Sequence, residues 1–226
     1  MPLSDVFTIA SRLLHAAILL FLAALQPSLA LGEKPLQPTA DSRPRIVAFG
    51  DSLTSGLGVA AEEAYPAQLQ RLLDGAGFRY RVINAGVSGD TTAGGLRRVT
   101  WALNSKPTLV IVELGGNDGL RGLSLAETKR NLERIIEQFQ RASVTVVLAG
   151  MKLPPNYGVE YTKAFEGIYP ALAQQYRLKL IPFFLDGIAG STELNQADGI
   201  HPTAEGYRII VGKIFETVRP LLRKEN

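Results

Sequence analysis

The feature that most restricts this chain is the alternation of five short, β-branched runs with stretches of helical spacing. Residues 45–49 (RIVAF), 80–83 (YRVI), 109–114 (LVIVEL), 144–149 (VTVVLA) and 178–183 (LKLIPF) are bounded by Gly, Asn or Pro. Near-continuous apolar runs suit strands buried on both faces. Helical patterns fill 62–75, 91–104, 124–142 and 160–176 between them. A last one, 203–222, places Ala204, Tyr207, Val211, Ile214, Phe215 and Val218 on one face, with Pro202 at its start. This alternation predicts an α/β fold, a three-layer α/β/α sandwich around a five-stranded parallel sheet. Ligands of such sheets bind beyond the carboxyl ends of the strands.

Composition removes whole classes of chemistry. The 226 residues include no cysteine and two histidines, His15 and His201. Disulfides, thiolate nucleophiles and Cys-ligated metals are excluded, as are three-His and HExxH sites. Net charge is +3 and no basic run reaches five residues, so nucleic acid is not an expected partner.

Residues 13–25 (LLHAAILLFLAAL) form an apolar run of a length that suits a signal-peptide core better than a membrane span. Ser28-Leu29-Ala30 then puts small residues where a signal peptidase reads. The expected organisation is a signal peptide over 1–30, a flexible linker over 31–44 with three prolines, and one domain over 45–226. A periplasmic or secreted monomer, without a stable membrane span after cleavage, is expected. Removal of the leader would leave His201 as the single imidazole.

Chemistry concentrates where the runs end. The first run leads into Gly50-Asp51-Ser52-Leu53, which presents Ser52 at a strand-to-helix turn. The second leads into Asn84-Ala85-Gly86-Val87-Ser88-Gly89-Asp90-Thr91, where a glycine turn can aim a backbone N–H into the cleft. After the third, Gly115-Gly116-Asn117-Asp118 adds a carboxamide donor. Asp198-Gly199-Ile200-His201-Pro202 sets a carboxylate three residues before the imidazole, near enough to hold Nδ1–H and free Nε2 as a base. Singly, each block reads as an ordinary cap or turn. Jointly they supply a nucleophile, two oxyanion donors, a base and its orienter, the roles of a Ser–His–Asp acyl-transfer site.

The blocks GDSL (50–53), NAGVSGDTT (84–92), ELGGNDGLRG (113–122) and DGIHP (198–202) resemble those of the SGNH (GDSL) hydrolase superfamily. LPPNYG (153–158), AFEGIYPALA (164–173) and IPFFL (181–185) resemble its bacterial periplasmic branch of acyl-CoA thioesterases, lysophospholipases and arylesterases. The resemblance implies a flavodoxin-like sheet. It implies Ser52 as nucleophile, His201 as base, Asp198 as orienter, and Ser52 N–H, Gly86 N–H and the Asn117 side chain as oxyanion hole. Asp51, Gly116, Leu153, Pro154 and Tyr157 are further candidates for substrate contact. Segment 115–122 is expected to move on binding. No cofactor or metal is implied, and the expected partner is a small acyl ester or thioester.

Other readings carry less. Gly56-Leu57-Gly58-Val59-Ala60-Ala61 fits a dinucleotide fingerprint but starts seven residues after Phe49 and lacks an acid after the second run. Asp51, Glu113 and Asp118 could be cast as glycosidase acids, but no aromatic sugar platform accompanies them. Glu113, inside an apolar run, reads as a hydrogen-bonded structural residue. A carbohydrate O-acetyl esterase on the same site and a non-catalytic acyl-binding protein are the alternatives in function.

Overall fold

The computed structural model describes residues 41–224. The expected signal peptide, and the expected linker up to residue 40, lie outside them. The chain enters at β1 (Arg45–Gly50), followed by α1 (Ser52–Ser55), α2 (Tyr65–Gly75), β2 (Arg81–Gly86), α3 (Thr92–Leu103) and β3 (Pro107–Glu113). It continues through α4 (Gly116–Leu120), α5 (Leu125–Arg141), β4 (Thr145–Ala149), α6 (Val159–Tyr176), β5 (Lys179–Ile181) and α7 (Ala204–Val218). All pairings in the sheet are parallel, in the order β2-β1-β3-β4-β5. The expected α/β/α sandwich and flavodoxin-like order are therefore present.

Burial follows position in the sheet. The central strands β1, β3 and β4 are buried almost throughout, as their Val/Ile/Leu runs demand. The edge strand β2 is half exposed and carries Arg81 and Asn84. It runs three residues beyond the expected YRVI, to Gly86, because the backbone of β1 goes on pairing up to Gly50. β5 is shorter than expected, since Pro182 has no N–H to extend the ladder.

Helices cover both faces. On one side α2 packs against α7; on the other α3 packs against α5, and α5 against α6. In α5 the buried Thr128, Leu132, Ile135, Ile136 and Phe139 trace one stripe. Phe139 meets Phe49 of β1 edge to face at 5.5 Å. α7 begins one residue later than the sequence suggests. Thr203 caps it through Gly206 N–H, while Pro202 is drawn into an isolated antiparallel bridge with Asn195. No helix among the described residues is long and apolar enough to cross a membrane.

The order of strands reverses at β1, whose two neighbours are β2 and β3. The crevice at their carboxyl ends is held by Arg98 of α3. Its guanidinium donates to Gly50 O and Ala85 O, both at 2.6 Å, and to Asp90 Oδ2 at 2.7 Å. It also stacks 4.0 Å over Phe49. One side chain thus ties the ends of β1 and β2 to the turn that follows β2.

Because this cation and Asp90 are both largely buried, Arg98→Ala is expected to cost about 3–5 kcal/mol in urea unfolding. Arg98→Lys is expected to recover less than half, since an ammonium cannot fork to two carbonyls and a carboxylate. A loss below about 1 kcal/mol would place the pair with ordinary surface ion pairs.

Candidate active site

Four segments converge at this crevice. Ser52 opens α1 directly after β1, with Asp51 as N-cap accepting Leu53 N–H at 3.0 Å. Gly50 in this block would suit a tight turn. Its backbone is ordinary, and the constraint is space: a Cβ there would lie 2.0 Å from Thr54 Oγ1 and 2.5 Å from Glu113 Oε2.

His201 reaches the site from the segment before α7. Its Nε2 lies 2.8 Å from Ser52 Oγ, and its Nδ1 lies 2.7 Å from Asp198 Oδ2. Asp198 Oδ1 accepts the amides of Ile200 at 2.8 Å and His201 at 2.9 Å. The carboxylate so fastened takes Nδ1–H, which leaves Nε2 to accept from the serine hydroxyl. Burial pushes the Asp198 carboxyl up, but the two amides and the imidazole outweigh it and hold it at about 2. Asp198 therefore stays an acceptor across the range in which a histidine works.

The donors expected for an oxyanion fare differently. Ser52 N–H has no acceptor among the described residues, as first-turn amides of helices do not. Gly86 does not match its expected role. Its N–H is taken by Asn84 Oδ1 at 2.9 Å, and its lack of a side chain serves contact with α1, since a Cβ would sit 2.2 Å from Ser55 N. The amides of Ser88, Gly89 and Thr91 in this turn have no acceptor among the described residues; Gly89, at φ +79°, is the one that directly precedes Asp90, whose carbonyl holds Asn117 Nδ2. The NAGVSGD block holds both glycines, and nothing in its composition tells which one turns its N–H outward.

Asn117, on α4, donates both Nδ2 hydrogens, to Asp51 Oδ2 at 3.1 Å and to Asp90 O at 3.0 Å. Its Oδ1 accepts from Arg121 at 3.2 Å. Acceptors on one side and a guanidinium on the other fix the orientation of the carboxamide. It can reach a substrate oxygen by exchanging or sharing one of these hydrogens.

The crevice opens into a cleft of about 620 Å³. Ser52, Asn117 and His201 line it, and Leu120, Met151, Leu153, Pro154, Phe183 and Ile200 give it apolar walls. Asp51 and Gly116, two of the candidates for substrate contact, also line it. Tyr157 does not. Its hydroxyl donates to Leu120 O at 3.0 Å, so it braces the end of α4 from behind. The glycines at 56 and 58 belong to the turn that ends α1, and Gly56 is its left-handed cap.

Behind Ser52 lies a buried carboxyl pair. Glu113 is fully buried; its Oε2 accepts Thr54 Oγ1–H at 2.8 Å and Asp51 N–H at 3.4 Å, and its Oε1 has no partner. Burial, with Asp51 beside it, raises its pKa well above the usual carboxyl range. Burial likewise lifts Asp51 from 3.8 to about 6 against the pull of Leu53 N–H and Asn117. Asp118 is engaged elsewhere, accepting Thr92 N–H at 2.9 Å and Thr92 Oγ1–H at 2.5 Å. Of the three acids weighed as a glycosidase set, only Asp51 lines the cleft.

Comparison with known proteins is consistent across sequence and structure. Residues 48–209 match the GDSL-like Lipase/Acylhydrolase family. The chain is 43% identical over 178 residues to esterase TesA of Pseudomonas aeruginosa, covering 78% of this chain and 89% of that protein. It is 36% identical over 182 residues to thioesterase 1/protease 1/lysophospholipase L1 of Escherichia coli, covering 80% and 86%. A crystal structure of TesA superposes with a TM-score of 0.77 at 42% identity, over 79% of this chain and 99% of that one.

The carboxyl pair has a consequence for stability. Asp51 folded holds a proton between pH 3.8 and about 6 that the unfolded chain releases. Its contribution therefore falls as pH rises through that window and stays low above it. Glu113 acts in the same direction from a higher pKa. Glu113→Gln, an isostere of the protonated acid, is expected to come nearest wild type in urea midpoint below pH 4.5 and to exceed it as the pH rises above that value. A Gln variant weakened equally at every pH would contradict a protonated Glu113.

Proposed function

The chain belongs to the GDSL-like Lipase/Acylhydrolase family and is a carboxylic ester hydrolase, and we propose that it cleaves aryl esters, acyl thioesters and lysophospholipid-type esters through a Ser52 acyl-enzyme. The observation that carries this reading is the continuous chain Asp198–His201–Ser52, whose His201 and Ser52 line an apolar cleft. His201 Nε2 takes the hydroxyl proton as Ser52 Oγ attacks the acyl carbonyl carbon. The carbonyl oxygen becomes an oxyanion, received by Ser52 N–H, Gly89 N–H and Asn117 Nδ2–H. Gly89 takes the place first expected of Gly86 because its amide is open and it directly precedes Asp90, whose carbonyl holds Asn117 Nδ2. The tetrahedral intermediate collapses, and the alcohol or thiol leaves with the proton from His201. Water, deprotonated by His201, then attacks the acyl-enzyme and returns Ser52 and the carboxylic acid.

We propose export as a monomer to the periplasm or the medium, on the strength of the apolar run at 13–25 followed by Ser28-Leu29-Ala30. The apolar walls of the cleft favour an acyl chain over the O-acetylated sugar of the alternative reading. A serine and a base in contact favour an enzyme over an acyl-binding protein.

Ser52→Ala is expected to lower kcat on p-nitrophenyl esters by about 10⁴-fold or more. Retention of wild-type activity would refute the nucleophile. Across straight-chain p-nitrophenyl esters and matching thioesters, kcat/KM is expected to rise about fourfold per methylene until the cleft is full, as burial of about 0.8 kcal/mol per CH₂ requires. A maximum at acetate, with no gain beyond it, would favour the O-acetyl esterase.

A further inference from the structure

We propose that Arg121 is a positioning residue of the oxyanion pocket, one that holds and polarises the Asn117 carboxamide through its Oδ1. The inference rests on the reading of Asn117 as an oxyanion donor.

Arg121 follows α4 and stands one helical turn after Asn117. A single terminal nitrogen, Nη2, spends its two hydrogens on Asn117 Oδ1 at 3.2 Å and Gly89 O at 3.1 Å. Those acceptors belong to the two segments that carry the non-nucleophile donors: the turn after β2 and the helix after β3. The guanidinium is thus a direct link between them. It complements Asn117 Nδ2, which reaches back to Asp90 O in the same turn.

The charge on Arg121 is the second observation. Several arginines on this surface have acids at hand: Arg130 meets Glu127, Arg208 meets Glu205, and Arg141 meets Glu137 at 2.7 Å. Arg121 has no carboxylate within 4 Å among the described residues, and its two acceptors are uncharged oxygens. A permanent cation therefore lies one carboxamide away from the place where negative charge develops. Donation to Oδ1 draws electron density from the amide and makes Nδ2–H a stronger donor. The gain is greatest when the acceptor is an oxyanion, so it stabilises the transition state more than bound ester. An exposed arginine with a merely solvating role would show none of this dependence on Asn117.

The test is a double-mutant cycle on p-nitrophenyl butyrate with Arg121→Ala, Asn117→Ala, the double variant and Arg121→Lys. Thermal melts run in parallel. Removal of the donor, Asn117→Ala, is expected to lower kcat by about 10²–10³-fold. Arg121→Ala is expected to lower kcat by about 10–100-fold with KM within about threefold and the melting temperature close to wild type. On the Asn117→Ala background the same change is expected to cost less than about threefold. Arg121→Lys, or free guanidinium added to Arg121→Ala, is expected to restore part of kcat. If Asn117→Ala is impaired while Arg121→Ala matches wild type, or if the two effects simply multiply, the inference fails and the oxyanion reading stands. A rise in KM with unchanged kcat also overturns it, by making Arg121 a substrate contact. If Asn117→Ala keeps full activity, the oxyanion reading itself falls.

Discussion

Everything at this site hangs on the register of β1 between its two neighbours. Gly50 pairs with Gly86 on one side and with Glu113 on the other. A slip of one residue would turn every side chain of β1 to the opposite face. It would also pull Asp51 and Ser52 out of line with Asn117 and the turn after β2. The lock on this register is local. Arg98 fastens the two strand ends, and Gly50 leaves room for Glu113 and Thr54 to meet beneath the nucleophile.

That arrangement sets two carboxyl groups in the core behind Ser52. The cost of burial is reduced by protonation and by hydrogen bonds from Thr54 and from the amides of Asp51 and Leu53. In return the strand-to-helix turn has little freedom, because Asp51 both caps α1 and accepts from Asn117. Positioning of this kind puts reorganisation into the fold rather than into each turnover. In the proposed reaction the site proper needs one mobile proton, passed between Ser52 and His201, while Asp198 remains ionised throughout.

Much of this was legible from residue order. Period and burial identify the five strands, because each apolar run is short and ends in Gly, Asn or Pro. The four blocks at run ends locate Ser52, Asn117, Asp198 and His201, since a parallel sheet brings its carboxyl ends together. What was not legible depends on packing at the scale of single atoms. Gly86 and Gly89 look alike in sequence; only the fold shows that contact with Ser55 engages one and that a left-handed turn exposes the other. Tyr157 reads as a groove residue, yet its hydroxyl finds the Leu120 carbonyl. Arg98 and Arg121 carry no motif of their own. Their roles come from carbonyl oxygens of distant segments, which sequence patterns do not reveal. The ends of β2 and β5 differ for the same reason, being set by the neighbouring backbone and by Pro182.

The central claim is that His201 makes Ser52 the one reactive nucleophile of a chain without cysteine. Covalent labelling with a fluorophosphonate, read by intact mass and peptide mapping, tests it most directly. A single adduct is expected, on the peptide that contains Ser52, and its formation is lost in folded His201→Ala protein. An adduct on another residue, or labelling of Ser52 at an undiminished rate without His201, would contradict it.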